Sequence, residues 1–405
     1  MNAPHSPSLL AAVPMAPKDP ILGITELYVA DKNPSKVNLG VGVYYDENGK
    51  VPLLACVRQV EQQQVQAGAP RPYLPIDGLQ TYDQAVQALV FGADAAAVKD
   101  KRVVTVQALG GTGGLKIGAD FLKQLSAEAQ VWISDPSWEN HRALFEGAGF
   151  KVSAYPYYDA ATRGLKFEAM LSALDALPAG VIAVLHTCCH NPTGVDLSEL
   201  QWQKIFAVVQ ARGLVPFLDL AYQGFGDGID ADAYAARLFA GAMSPVFLSS
   251  SFSKSLSLYG ERVGAFSLVA GSPDEAARAL SQLKRIVRAN YSNPPTHGSD
   301  IVARVLTTPE LRRLWERELG GMRERIKAMR KALAEGIKQR VPGSDWSFVL
   351  KQRGLFSYTG LTKAQVERLR TEFSIYAIES GRICVAALNA KNIGYVADAI
   401  AKVIR

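Results

Sequence analysis

Cysteine is scarce. Four residues in 405, Cys56, Cys188, Cys189 and Cys384, are too few and too irregularly spaced for a disulfide framework, and the adjacent pair argues against a simple bridge. Such usage fits a reducing cytoplasm best. Long hydrophobic runs are missing as well. The start, M-N-A-P-H-S-P-S-L-L-A-A-V-P-M-A-P, has no basic opening, and its apolar stretch is short and interrupted by Pro14, so neither a signal peptide nor a membrane span is expected. Residues 1–20 read instead as a loosely ordered arm that packs on a neighbouring subunit. Charge of one sign is not concentrated either. Lys and Arg number 44 against 38 Asp and Glu, a net +6, and the basic residues are scattered, so small anionic ligands are expected before nucleic acid. There is no internal repeat and no low-complexity tract.

What the chain does have is the 48% hydrophobic content of an ordinary globular protein, at a length sufficient for two domains. Between residues 100 and 270, apolar runs at 103–106, 131–134, 181–186, 215–219, 246–249 and 263–269 alternate with helical patterns. Runs that are apolar on both faces suit strands covered by helices on each side of a mainly parallel sheet, which makes this an α/β fold. Beyond Thr308 and Pro309, apolar residues from Leu311 to Ile337 recur at steps of mostly three and four, predicting one long amphipathic helix that bridges into a second unit. The tail from Trp346 mixes strand-like pieces (F-V-L, L-F-S-Y, R-I-C-V-A) with helices such as 362–373, a small α+β unit.

In an open α/β sheet, ligands bind beyond the carboxyl ends of the strands. Successive strand ends here lead into A-L-G-G-T-G-G-L-K, D-P-S-W-E-N-H, T-C-C-H-N-P-T-G, Asp219 with A-Y-Q-G-F-G, and S-S-S-F-S-K-S. Taken singly, each has a bland reading. The glycine run, ahead of a helix expected to open at Leu115, could be a plain turn or a phosphate cradle. It is neither a dinucleotide fingerprint, since Lys116 stands at the third glycine, nor a Walker loop. The H-T-C-C-H cluster lacks metal-ligand spacing, and no metal is expected. Asp219 could cap the next segment, Trp138 could be a core aromatic, and a lysine such as Lys254 is ordinarily solvated.

Read together, the ends suit a phosphorylated, aromatic, aldehyde-bearing ligand. Gly111, Thr112, the serines and Arg262 would cradle its phosphate, and Trp138 would stack on its ring. Asp219 would face a protonated ring nitrogen, Asn191 and Tyr222 a phenolic oxygen, and Lys254 would form a Schiff base. That ligand is pyridoxal 5'-phosphate.

The chain resembles the class I aminotransferases of the aspartate and aromatic amino-acid group. The likeness runs from D-P-I-L-G at residue 19 to the C-terminus through N-L-G-V-G-V-Y, Y-L-P-I-D-G, G-G-T-G, D-P-S-W-E-N-H, C-C-H-N-P-T-G, D-L-A-Y-Q-G-F, S-F-S-K-S, Y-G-E-R-V-G, R-A-N-Y-S-N-P-P and S-G-R-I-C-V-A. The resemblance implies pyridoxal-phosphate enzyme fold type I, with a large domain built on a mainly parallel seven-stranded sheet and a small α+β domain. The corresponding division is an arm at 1–20, a small domain of 21–52 with 321–405, and a large cofactor-binding domain at 53–320.

The same resemblance implies the roles. Lys254, Asp219 and Tyr222 would be catalytic, with His141 steadying Asp219. Gly111, Thr112, Ser251, Ser253 and Arg262 would anchor the phosphate, joined by Tyr73 from the other subunit of a homodimer. Arg382 would fork the substrate α-carboxylate, Arg288 would cross from the partner to a side-chain carboxylate, and Gly42, Asn191 and Trp138 would complete the substrate site. Amino acids and 2-keto acids would be the small-molecule partners, exchanged by ping-pong kinetics.

Arg288 implies glutamate and 2-oxoglutarate as one couple. Tyr45, Val51 and Pro72 resemble the tyrosine branch of the family, whereas Val43, Thr112 and Asn293 resemble the aspartate branch. The reading adopted is an aromatic-amino-acid aminotransferase that also accepts aspartate. The alternative is an aspartate aminotransferase with little aromatic activity. A non-catalytic cofactor-binding sensor would need a fused DNA-binding segment, and a nicotinamide dehydrogenase would need the missing third glycine. A β-lyase or decarboxylase uses the same cofactor and stays open at this point.

Overall fold

The computed structural model describes residues 8–16 and 22–405. Its centre is one seven-stranded sheet made of β1 (Val103–Leu109), β2 (Gln130–Asp135), β3 (Lys151–Pro156), β4 (Ile182–His186), β5 (Val215–Leu220), β6 (Val246–Ser251) and β7 (Val263–Val269), in the order β1-β7-β6-β5-β4-β2-β3. Only β7 runs antiparallel to its neighbours, β1 and β6; the remaining pairs are parallel. Strands β4, β6 and β7 are buried along their whole length, and apolar residues fill both faces of each except where β6 ends in Ser249–Ser251, β4 in His186, and β7 carries Ser267. Strand β3 was missed by the sequence reading. It sits at the sheet edge, and K-V-S-A-Y-P buries only Tyr155 fully, so it leaves no continuous apolar run.

Helix α1 (Gly110–Leu125) follows β1 without a loop and crosses the sheet face. The expectation of a helix opening at Leu115 is corrected by five residues, because the glycines form its first turns. They are there for closeness: a Cβ on Gly114 would meet Ala265 O at 2.7 Å, and one on Gly118 would meet the Phe217 and Phe266 rings at 2.5 Å. Phe217 and Phe247 stack at 6.1 Å, and Phe266 joins them at 6.1 and 6.2 Å, forming the aromatic centre of this layer. Helix α2 (Glu139–Gly147) follows β2.

The long helix α3 (Pro309–Arg340) occurs where the periodicity placed it, with Pro309 in its first turn and Leu311, Trp315, Leu319, Met322, Ile326, Leu333 and Ile337 buried. Beyond it, β8 (Phe356–Tyr358) and β9 (Arg382–Cys384) form an antiparallel pair, and Val37–Asn38 pairs parallel with Ile375–Tyr376. One strand-like piece is corrected: F-V-L lies in the short helix Phe348–Lys351. Asp345 Oδ1 accepts Ser347 N–H at 2.8 Å, an Asx turn that starts a helical turn rather than a strand.

Residues 8–16, the described part of the expected arm, are exposed, with a 3₁₀ turn at Leu9–Ala12; the rest of 1–20 lies outside the described residues. All four cysteines are free and buried. Among the described residues, no helix is long and apolar enough to cross a membrane.

Candidate active site

A cavity of about 240 Å³ opens beyond the carboxyl ends of the central strands. The chain enters it from α1 (Gly111, Thr112), the N-terminus of α2 (Trp138), the loop after β4 (Asn191), β5 and its exit (Asp219, Tyr222), and β6 and its exit (Ser251, Ser253, Lys254). Arg262 enters from the turn before β7, and Gly42 and Arg382 from outside the sheet.

Lys254 is half-buried, with Nζ 5.1 Å from the Tyr222 ring centroid. Burial first, then the positive charge of Arg262, lower its pKa to about 8 against the opposing pull of Asp219. Its loop is fixed from behind, where Trp315 of α3 donates Nε1–H to Ser255 O at 2.6 Å. Left-handed backbone at Ser257 and Arg262 turns the chain back on itself, so that Arg262 reaches Ser253 Oγ at 3.3 Å and Tyr259 O at 3.0 Å.

Asp219 is buried and accepts a hydrogen bond from His141 Nε2 at 2.9 Å; His141 Nδ1 lies 2.9 Å from Ser137 Oγ. Burial alone would raise the Asp219 pKa, but the His141 hydrogen bond, with the charges of His141 and Lys254, holds it below the usual value. The carboxyl group therefore stays an anion. Trp138 stands edge-on to His141 at 5.3 Å and lines the same cavity. Burial raises the Tyr222 pKa well above 10, against a smaller opposing effect of Arg382, so its phenol stays a hydrogen-bond donor.

At one end of the cavity, α1 begins without any side-chain cap, which leaves its first N–H groups for a ligand. Ser251, Ser253 and the Arg262 guanidinium surround that end. The cradle tolerates no side chain at Gly110, where a Cβ would come within 2.5 Å of Arg262 Nη2. Such a donor set suits a dianionic phosphate.

At another wall, Arg382 is 1% exposed and donates to Asn191 Oδ1 at 3.1 Å and Gly40 O at 2.8 Å, while its Nε has no partner. A buried guanidinium with an unused N–H calls for an anion. Gly42 is needed beside it, because a Cβ there would come within 2.5 Å of Phe356 Cζ. Anion cradle, ring-facing carboxylate, amine and stacking indole together fit pyridoxal phosphate, and the guanidinium of Arg382 fits a substrate carboxylate next to it.

Two expected residues lie elsewhere. Tyr73 is 90% exposed, and Arg288 sits exposed in the last turn of the helix Pro273–Asn290, bonded to Ser292. Within one chain neither lines the cavity. Tyr45, Val51 and Pro72 do not line it either, whereas Thr112 does. Sequence reasoning missed Leu115, Ala221, Tyr259 and Phe356, which do line it, and saw His186 only as part of a metal-like cluster. His186 packs 4.8 Å from the His141 ring, and burial, then the charge of His141, lower its pKa to about 3, so it is neutral. Phe356 carries no motif; only the pairing of β8 with β9 brings it in.

Comparison with known proteins agrees with this geometry. Residues 34–400 match the family described as aminotransferase class I and II. The chain is 59% identical to an aspartate aminotransferase of Pseudomonas aeruginosa over 98% of its length and 100% of that protein's. It is 50% identical to the aromatic-amino-acid aminotransferase of Escherichia coli, covering 95% of this chain and 98% of the other. It superposes with a TM-score of 0.97, at 63% identity and 98% and 100% coverage, on an aromatic-amino-acid aminotransferase from Burkholderia pseudomallei covalently bound to pyridoxal phosphate.

Proposed function

The chain belongs to the class I and II aminotransferases, and we propose that within that family it moves amino groups between tyrosine, phenylalanine or aspartate and 2-oxoglutarate with pyridoxal 5'-phosphate as cofactor. The observation that carries this reading is the convergence of a depressed-pKa amine, an anionic carboxylate and a buried guanidinium with a free N–H in one cavity.

Gly111, Thr112, Ser251, Ser253 and Arg262 would hold the phosphate, Trp138 and Asp219 the ring, and Asn191 and Tyr222 its phenolic oxygen. When bound, the cofactor supplies an aldehyde that condenses with amines and a cationic ring that accepts electron density from the substrate α-carbon. Lys254 does the proton work. With a pKa near 8 it is a usable nucleophile, and its neutral amine would take up the proton that leaves the substrate α-carbon. Asp219, kept ionised by His141, keeps a positive charge next to it favourable. Tyr222 donates its phenolic O–H, and Arg382 orients the substrate through its carboxylate.

Aromatic substrates are supported by the apolar Leu115 and Phe356 in the cavity wall and by the aromatic-named relatives. The aspartate-named relative favours the second reading, an aspartate aminotransferase with little aromatic activity.

The active unit proposed is a homodimer with shared sites. The exposure of Tyr73 and Arg288, and of Leu9, Leu10, Val13 and Met15 in the N-terminal segment, supports it, since a second copy would cover them. The domain division at 52/53 and 320/321 is likewise proposed, supported by the change from the central sheet to the small strand pairs. Buried free thiols support a cytoplasmic location.

The test is a half-reaction followed by visible absorbance, in which cofactor-loaded protein is mixed separately with tyrosine, aspartate and glutamate. Conversion by tyrosine at least as efficient as by aspartate supports the aromatic reading; conversion by aspartate and glutamate alone favours the second. A protein that shows no visible cofactor band, or a Lys254→Ala variant that turns over normally, would remove the assignment of Lys254.

A further inference from the structure

Arg330 lies on the buried face of α3, 2% exposed, and no carboxylate among the described residues forms an ion pair with it. Asp196, whose charge acts on it, is already bonded to the backbone N–H groups of Cys189 and His190 at 2.6 and 2.8 Å. A buried guanidinium without a counter-ion is costly to desolvate, and burial pulls its pKa down to about 10. Its hydrogen bonds all go to one short segment. Arg330 donates to Gly354 O at 2.8 Å, Phe356 O at 2.5 Å and Ser357 Oγ at 3.3 Å. Ser357 donates onward to Gln352 Oε1, and Gln352 Nε2 reaches Tyr358 O at 3.3 Å.

The segment so held is β8 with the turn that leads into it. Its register places Phe356 opposite Cys384 and Tyr358 opposite Arg382. The Phe356 ring carries the Arg382 guanidinium 4.3 Å from its centroid, meets Tyr222 edge-on at 6.1 Å, and occupies the space that a Cβ on Gly42 would need. One aromatic ring thus touches the anion-seeking arginine, the phenol and the glycine wall of the cavity. Its backbone carbonyl is anchored by an arginine of α3.

We infer that Arg330 is a positioning residue for the substrate-carboxylate site: by fixing the carbonyls of that segment it sets the Phe356 ring against which Arg382 is aimed. The inference rests on the reading of Arg382 as the carboxylate fork. A lysine at 330 keeps the charge but cannot span Gly354 O, Phe356 O and Ser357 Oγ with a planar fork, so the ring shifts and with it the fork. A displacement of about 1 Å at a positioned group can cost on the order of 10²-fold.

The experiment uses cofactor-loaded protein and four variants, Arg330→Lys, Phe356→Leu, the double variant and Arg382→Lys, with succinate as the dicarboxylate probe. Arg330→Lys is expected to raise KM for the amino acid and the dissociation constant of succinate about tenfold, while kcat falls less than about threefold and the visible cofactor band and cofactor content stay unchanged. In the Phe356→Leu background, the same change at 330 should add less than about twofold, because the ring it acts through is gone. A variant that only melts earlier with KM unchanged overturns the inference, as do effects of the two substitutions that simply multiply. Succinate binding unaffected by Arg382→Lys would overturn the carboxylate-fork reading instead. If Arg330→Lys does not fold, Arg330→Met replaces it, and Phe356→Leu alone must still raise the succinate constant; an unchanged constant in that variant overturns the inference.

Discussion

Lys254 shows how far single residues could be read. Its chemistry was legible because serines, an apolar strand and four other strand ends framed it; its pKa was not, because that depends on the distance to charges far along the chain. Arg262 pushes protons off the amine and Asp219 holds them on, with burial the largest effect. In cofactor-free protein, acylation of Lys254 should therefore rise with a midpoint near pH 8, as the neutral amine becomes available. Arg262→Gln should move that midpoint up and Asp219→Asn should move it down, each read by mass spectrometry of the labelled peptide. Linkage gives the stability counterpart. The folded amine has the lower pKa, so between about 8 and 10.5 the unfolded chain holds more protons, and stability owed to this group increases with pH across that window. Lys254→Met should flatten the slope in urea titrations of the cofactor-free protein; an unaltered slope would mean that the amine titrates normally. Residues outside any motif, Phe356 above all, were invisible because a strand register put them in place.

At the scale of elements, periodicity served where an element was long or buried throughout, and failed where tertiary contacts made the element. Helix α3 and the inner strands were readable for the first reason. The edge strand β3, the short helix Phe348–Lys351 and the true start of α1 were not. The helix Ala55–Ala67 gives the same lesson in its cap. Its preceding residue, Leu54, supplies no side-chain hydrogen bond, and the first N–H groups are capped from α3 instead, with Glu318 accepting from Ala55 at 2.6 Å and from Cys56 at 3.2 Å. No local signal could have announced a cap donated from so far along the chain. Glu318→Ala should cost about 1–2 kcal/mol of unfolding free energy, the size of a lost N-cap, measured by urea denaturation of the cofactor-free protein. Cofactor content should stay unchanged, because Glu318 does not line the cavity.

The whole molecule was legible as far as one chain goes. The α/β sheet, the bridging helix and the convergence of strand ends on one cavity all follow from burial patterns that a single chain satisfies. Tyr73 and Arg288 do not fit that account, since both are exposed on a chain whose other site residues face inward. The proposed second copy, supplying them to the neighbouring cavity, would resolve the discrepancy, and it makes a prediction that no single-chain site shares. Lys254→Ala and Arg288→Ala protomers should each be inactive in aspartate to 2-oxoglutarate transfer when pure. When the two are co-refolded, half of the dimers should be hybrids. Each hybrid concentrates both lesions in one cavity and leaves the other intact, so about a quarter of wild-type activity should return. If each chain furnished its own Arg288, every cavity in the mixture would carry one lesion and nothing would return. An affinity tag on one variant, with recovery of the untagged variant alongside it measured in the same mixture, separates failure to exchange subunits from failure of the shared-site geometry.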